Sequence, residues 1–273
     1  MPGRVAAFVY GIACYLVSCG TFLYAVGFLC DVGVAKSIDS GAEGSVARGL
    51  LIDVGLLGLF AVQHSLMARP WFKRAWTRVI PGPVERATYV LLSSLALGLL
   101  FWQWRPLGGL IWSVEGTAAR WMVHGLYASG WVLLLVSTCL IDHFDLFGLR
   151  QVWRHLRGLA QAPPGFRTPG LYRYVRHPIY LGWLCIFWAT PRMTAAHLVL
   201  ALAATAYILV AVRFEERDLI RFHGDDYRRY RERVPMLVPL RLPRGEPREV
   251  AASDRKPATA TSPPGWPDTV CDF

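Results

Sequence analysis

Arg176-His177-Pro178-Ile179-Tyr180-Leu181-Gly182 opens an apolar stretch that ends at Thr190-Pro191-Arg192, and a second apolar run, 194–212, exits onto Arg213-Phe214-Glu215-Glu216. The two runs read as a membrane hairpin with a cationic entrance and a doubly acidic exit. Charge in lipid is expensive unless it has a partner, and closing the hairpin brings both charged ends to one membrane face. Proline is favoured at the first helical position because its missing N–H would be unsatisfied there anyway. Pro178 therefore starts a helix whose free amides point toward Arg176 and His177. A helix N-terminus beside a guanidinium suits a carboxylate, and the Glu pair suits a cation. Gly182, one turn in, leaves room for a ligand or for another helix. The plainer reading is a snorkelling Arg, a packing Gly and a solvated ion-pair ladder through Arg213 and Arg217.

The rest of the chain agrees with a membrane reading. Of the 273 residues, 54% are hydrophobic, and they come in blocks near 5–30, 48–68, 87–104, 121–141, 178–190 and 194–212. The first four approach the roughly 20 residues that a helix needs to cross a hydrocarbon core. The fifth, about 13 residues, reaches only roughly 20 Å at 1.5 Å per residue, so it should sit shallow or line a protein-packed cavity. The expected fold is all-α and integral to the membrane. It is a bundle of about five to six transmembrane helices, including a short C-terminal hairpin, followed by a charged amphipathic helix to about Phe222. Gly224 should end that helix and Asp225 cap a further short one, with Tyr227 and Tyr230 on one face. Three regions follow: a transmembrane bundle over 1–141, a connector, hairpin and binding region over 142–243, and a disordered tail over 244–273.

A net charge of +10 raises the question of nucleic acid, and position answers it. The basic residues cluster after the second span (Arg69, Lys73, Arg74, Arg78, Arg86), in the connector (Arg150 to Arg176) and after the last span, whereas the loops near 31–47 and 105–120 are nearly balanced. This is the positive-inside pattern. It puts both termini and the charged loops in the cytoplasm, facing membrane lipid and not nucleic acid. The six cysteines show no CxxC spacing and read as packing residues, with no disulfide or metal framework. The first span reads as retained, with no cleavage site after it.

Two more polar stations lie near the same face. Gln63-His64 sits in apolar sequence at the end of the second span. Asp142-His143-Phe144-Asp145 sits where the fourth span ends. Flanking carboxylates should raise the basicity of His143. A hydrogen-bonded core histidine is the plainer reading of His64.

The ordered string Arg176-His177-Pro178-x-Tyr180-x-Gly182, hairpin, Glu215-Glu216, Gly224-x-x-Tyr227-x-x-Tyr230 and Val234-Pro235 resembles the isoprenylcysteine carboxyl methyltransferase-like family of membrane enzymes. Gln63-His64-Ser65-Leu66-Met67-Ala68-Arg69 and the stretch His143 to Trp153 are similar to its methanethiol S-methyltransferase branch, which makes dimethyl sulfide. The resemblance implies that S-adenosylmethionine (SAM) is held by Arg176, His177, Pro178, Tyr180, Gly182, Glu215, Glu216, Tyr227 and Tyr230. It implies a small thiol as acceptor, met by Gln63, His64 and Phe144. A free thiol has a pKa of about 8.5, so a general base is needed: His143 oriented by Asp142 or Asp145, or else His64. Other acceptors in the family are prenylcysteine carboxylates and phospholipid amines. An NADPH-dependent membrane reductase and a non-enzymatic membrane accessory are the alternatives outside it.

Overall fold

The computed structural model describes residues 1–41, 44–160 and 166–239. The expected tail over 244–273 and the Pro163-Pro164-Gly165 break lie outside the described residues. Five helices are long and apolar enough to cross a membrane: α1 (Pro2–Cys30), α2 (Val46–Met67), α4 (Gly82–Gln103), α5 (Thr117–Ile141) and α9 (Ala195–His223). The chain is a multi-pass membrane protein. Shorter helices lie between and after them: α3 (Pro70–Trp76), α6 (His143–Leu146), α7 (Leu149–Arg157), α8 (Pro178–Trp188) and α10 (Asp225–Arg233).

Sequence chemistry sets several boundaries. Proline stands in the first turn of α1, α3, α4 and α8, where its missing donor costs nothing. Thr194 caps α9 by accepting from the His197 amide at 3.2 Å. Gly224 stops α9 at φ 59° and also serves as the N-cap of α10. Asp225, expected in that capping role, instead pairs with Arg228 one turn on, at 3.4 Å.

The fifth apolar run forms α8, only 11 residues long, packed inside the protein. Its contact with α5 is the most extensive between any two helices, so packing crosses the boundary expected at 141/142. Glycines make the approach possible. A Cβ on Gly182 would stand 2.9 Å from the Gly130 carbonyl oxygen, and one on Gly130 would meet the Gly182 carbonyl at the same distance. Two backbones in direct contact leave no room for a ligand there. Gly182 belongs to helix packing, which corrects its expected place against a cofactor.

An α8 this short ends inside the protein, so its last carbonyls need donors. Buried His197 approaches the Phe187 carbonyl at 3.0 Å, and the Trp188 indole donates to Thr205 at 2.9 Å. Beyond it, β2 (Arg192–Thr194) pairs antiparallel with β1 (Leu110–Ser113), from the loop between α4 and α5. This ribbon was not foreseen; four exposed residues between two spans carry too weak an alternation to read. At the opposite end of α8, the backbone after α10 returns to the helix start. The Arg176 amide donates to the Pro235 carbonyl at 2.9 Å, and the His177 amide to Met236 at 3.1 Å.

Candidate active site

The two charged ends of the hairpin meet. Arg176 Nε donates to Glu216 Oε1 at 2.7 Å, and its NH1 donates to the carbonyls of Arg231 (2.9 Å) and Val234 (2.5 Å). His177, the N-cap of α8, is 3% exposed and lies between both acids: Nε2 is 3.3 Å from Glu216 Oε1, and Nδ1 is 3.6 Å from Glu215 Oε2. Arg231 reaches Glu216 Oε2 from α10 at 3.9 Å. Adjacent helical residues point about 100° apart, yet both acids turn inward because His177 sits in the angle between them.

An aromatic wall adjoins this cluster. Tyr227 packs edge-on to Tyr230, and both pack on Phe166. The Tyr230 hydroxyl donates to the Tyr172 carbonyl at 2.6 Å. The Tyr227 hydroxyl is buried with no hydrogen-bond partner among the described residues. Burial raises its pKa above the ordinary tyrosine range, and the nearby Glu216 and Glu215 charges add to that.

Tyr180 and Glu215 connect the ionic cluster to a second feature, a largely apolar cavity of about 560 Å³ inside the bundle. The Tyr180 hydroxyl faces Glu215, with Tyr207 and Tyr89 nearby. His64 stands on the same cavity wall. Its Nε2 lies 2.9 Å from the Tyr89 hydroxyl and its Nδ1 lies 3.1 Å from Ser93 Oγ, while Phe60 stacks on the ring. Ser65 meets the Tyr207 hydroxyl at 3.0 Å, and Arg69 pairs with Asp218 at 3.0 Å, joining α2 to α9 beside the cavity. Gln63 stands behind the wall, donating to Met67 Sδ and Ser93 Oγ.

The structure does not bring the other histidine station to this cavity. The His143 ring nitrogens are taken by Tyr15 (3.0 Å) and Thr138 (3.0 Å). The acids expected to orient it do other work. Asp142 caps α6 through the Asp145 amide and pairs with Arg150 at 2.5 Å, and the Asp145 carboxylate accepts from Gln151. Burial lowers the His143 pKa below its ordinary value, and the Asp142 charge offsets only part of that. The expectation of raised basicity is thus corrected by desolvation. Phe144 points outward, 54% exposed, so it is not positioned to touch an acceptor in the cavity.

Tyr89, Ser93 and Tyr207 carry no sequence expectation, and Arg86, read from sequence only as a basic loop residue, is buried, donates to the Leu146 carbonyl at 2.8 Å and lies 5.1 Å from the Tyr89 ring. A usable signal existed: Arg86, Tyr89 and Ser93 recur at three- and four-residue spacing in an apolar helix, which marks one polar stripe.

Comparison with known proteins gives this arrangement a family. The methanethiol S-methyltransferase of Crocosphaera subtropica is 53% identical over 237 residues, covering 87% of this chain and 93% of that protein. The chain belongs to the methanethiol S-methyltransferase family. Similar relatives are methanethiol S-methyltransferase 1 of Bradyrhizobium diazoefficiens, 53% identical over 87% of this chain and 84% of its own length, and the Mycobacterium tuberculosis enzyme, 51% identical over 86% and 97%. The phospholipid methyltransferase family model matches residues 159–226, the later part of the connector, α8, all of α9 and the first two residues of α10. No solved structure matches the chain. Membership in this methyltransferase family implies SAM as the methyl donor.

Proposed function

We propose that this protein methylates methanethiol to dimethyl sulfide, with the donor held at the α8 entrance and the thiol in the cavity beyond Tyr180 and Glu215. The observation that carries this reading is that Tyr180 and Glu215 belong both to the ionic cluster and to the cavity wall shared with His64.

The residues fit the donor. Arg176 offers a fork for its carboxylate, and Glu216 and Glu215 offer charge for its ammonium. The Tyr227 hydroxyl, without a hydrogen-bond partner among the described residues and beside the rings of Phe166 and Tyr230, suits the nucleoside. When bound, SAM supplies a methyl group on a sulfonium that leaves as a neutral thioether. His64 takes the thiol proton at Nε2 through the Tyr89 hydroxyl, which stands 2.9 Å away and relays it, while Nδ1–H donates to Ser93 Oγ. Tyr89 fixes the ring plane, and the aromatic lining excludes water from the reacting atoms. His143 has a structural role. Residues 142–239 hold the donor, while the cavity draws helices from both halves of the chain. The face carrying the basic loops after α2, α5 and α9 is cytoplasmic, with both termini on it, by the positive-inside rule.

Membranes carrying the protein, given methanethiol and methyl-labelled SAM, should release labelled dimethyl sulfide into the headspace. Labelled SAM left unconsumed beside methanethiol would overturn the reading.

A further inference from the structure

The cavity is far larger than the substrate just proposed. Methanethiol has two heavy atoms and needs on the order of 60 Å³, twice the roughly 30 Å³ share of a water molecule. The cavity offers about 560 Å³, within the range of about 300–1,000 Å³ that holds drug-sized ligands. Most of the donor cluster lies outside this space: Arg176, His177, Glu216, Tyr227 and Tyr230 are not on its wall. Only Tyr180 and Glu215 are shared.

The shape is that of a slot. Along α2 its lining runs from Ser65 to Val54, about 17 Å at 1.5 Å rise per residue. The polar groups gather at one end, around Arg69, His64, Tyr89 and Glu215. Past Gly58 and Leu97 the lining becomes apolar and closes on Phe28, Leu100 and Phe101. A narrow apolar slot with its polar groups at one end suits a hydrocarbon chain that carries a polar head.

Resting on the thiol-methylating reading above, we propose that the slot admits longer alkyl thiols as methyl acceptors. The thiol sulfur sits at His64 and the hydrocarbon chain runs toward Phe28 and Phe101. The reaction balances as for methanethiol. The S–H proton passes through the Tyr89 hydroxyl to His64 Nε2, and the thiolate sulfur forms a bond to the methyl carbon. The carbon–sulfonium bond breaks with its electron pair kept by the departing thioether, leaving an alkyl methyl sulfide. Each methylene buried should lower KM by about fourfold, from about 0.8 kcal/mol per buried CH₂, until the slot is full.

The test measures methylation of methanethiol, ethanethiol, butanethiol and octanethiol by the full-length protein in vesicles. The proposal expects turnover of all four, with KM falling along the series. Methanethiol turnover without butanethiol or octanethiol turnover overturns the slot and leaves the thiol reading standing. No turnover of any thiol overturns both. A second arm fills the apolar part with Gly58→Leu, since a Cβ at Gly58 meets nothing within 4 Å. Octanethiol methylation should fall by at least about tenfold while methanethiol stays within about twofold, one misfitted methylene already being worth ~10-fold or more in a pocket. Equal rates on both thiols, or equal losses on both, would show that the chain does not lie there.

Discussion

Arg176 and Glu216, forty positions apart in sequence, meet at 2.7 Å, and that contact fastens the start of α8 to the end of α9. The same guanidinium reaches two carbonyls at the end of α10. One side chain therefore joins three elements around the space assigned to the donor.

Removing it should cost donor affinity more than it costs the fold. Arg176→Ala and Glu216→Gln should each weaken SAM binding by about 2 kcal/mol or more, the range for breaking a buried hydrogen-bonded charge pair. Arg176→Lys keeps the charge but loses the fork and should be intermediate. Calorimetry on detergent-solubilised protein reads all three; wild-type affinity in both Arg176→Ala and Glu216→Gln would move the donor site elsewhere.

The two histidines should separate cleanly. His64→Ala should lower kcat by about 10²–10⁴-fold, the span for a lost general base. Its residual rate should climb with pH toward the ordinary thiol pKa of about 8.5. His143→Ala should leave kcat near wild type. A wild-type pH–rate profile in His64→Ala would remove that imidazole from the proton path.

His143 should appear in stability instead. Its folded pKa is depressed by burial, so the unfolded chain binds a proton that the folded one resists. The sign follows from linkage: stability rises with pH where the unfolded state holds more protons. The full His143 contribution is present above the unfolded value of about 6.5 and is lost as pH falls below it. Wild-type melting temperature should drop between about pH 7 and 5 in that window, and His143→Gln should flatten the drop.

Tyr227→Phe tests the buried hydroxyl. With no hydrogen-bond partner among the described residues, its removal should leave melting unchanged or raise it. Donor KM should increase by a factor equivalent to about 1 kcal/mol, the net worth of one hydrogen bond. A fall in both stability and affinity would point to a structural role.

Gly182→Ala should be among the most damaging small substitutions, because its Cβ would press on the Gly130 carbonyl and the Leu134 amide. Overpacking of this kind costs about 1–3 kcal/mol. Gly98→Ala in α4 meets nothing within 4 Å and serves as the neutral control in a thermal melt.

The parts of this protein legible in its sequence are those written in local chemistry. Apolar length marked the spans, Pro178 marked the start of α8, and the cost of unpaired charge in lipid brought Arg176 and His177 to Glu215 and Glu216. Depth and direction were harder. Nothing local told that Gly182 would meet Gly130, since that contact depends on which face of α5 turns toward α8. His143 and His64 looked alike as single histidines near one membrane face. Only tertiary packing distinguishes a ring closed off by Tyr15 and Thr138 from one that lines a cavity. The cavity itself is a property of seven helices together, so no window of sequence could hold it.

The backbone pairing of Arg176 and His177 with Pro235 and Met236 has a consequence for biosynthesis. Every span is already synthesised when residue 223 leaves the ribosome, yet the segment that backs the α8 entrance has still to emerge. A nascent chain can thus be threaded through the bilayer while its ionic clasp stands open. Translation halted just short of Pro235 would leave an inserted bundle with an apolar slot and no finished seat for the methyl donor.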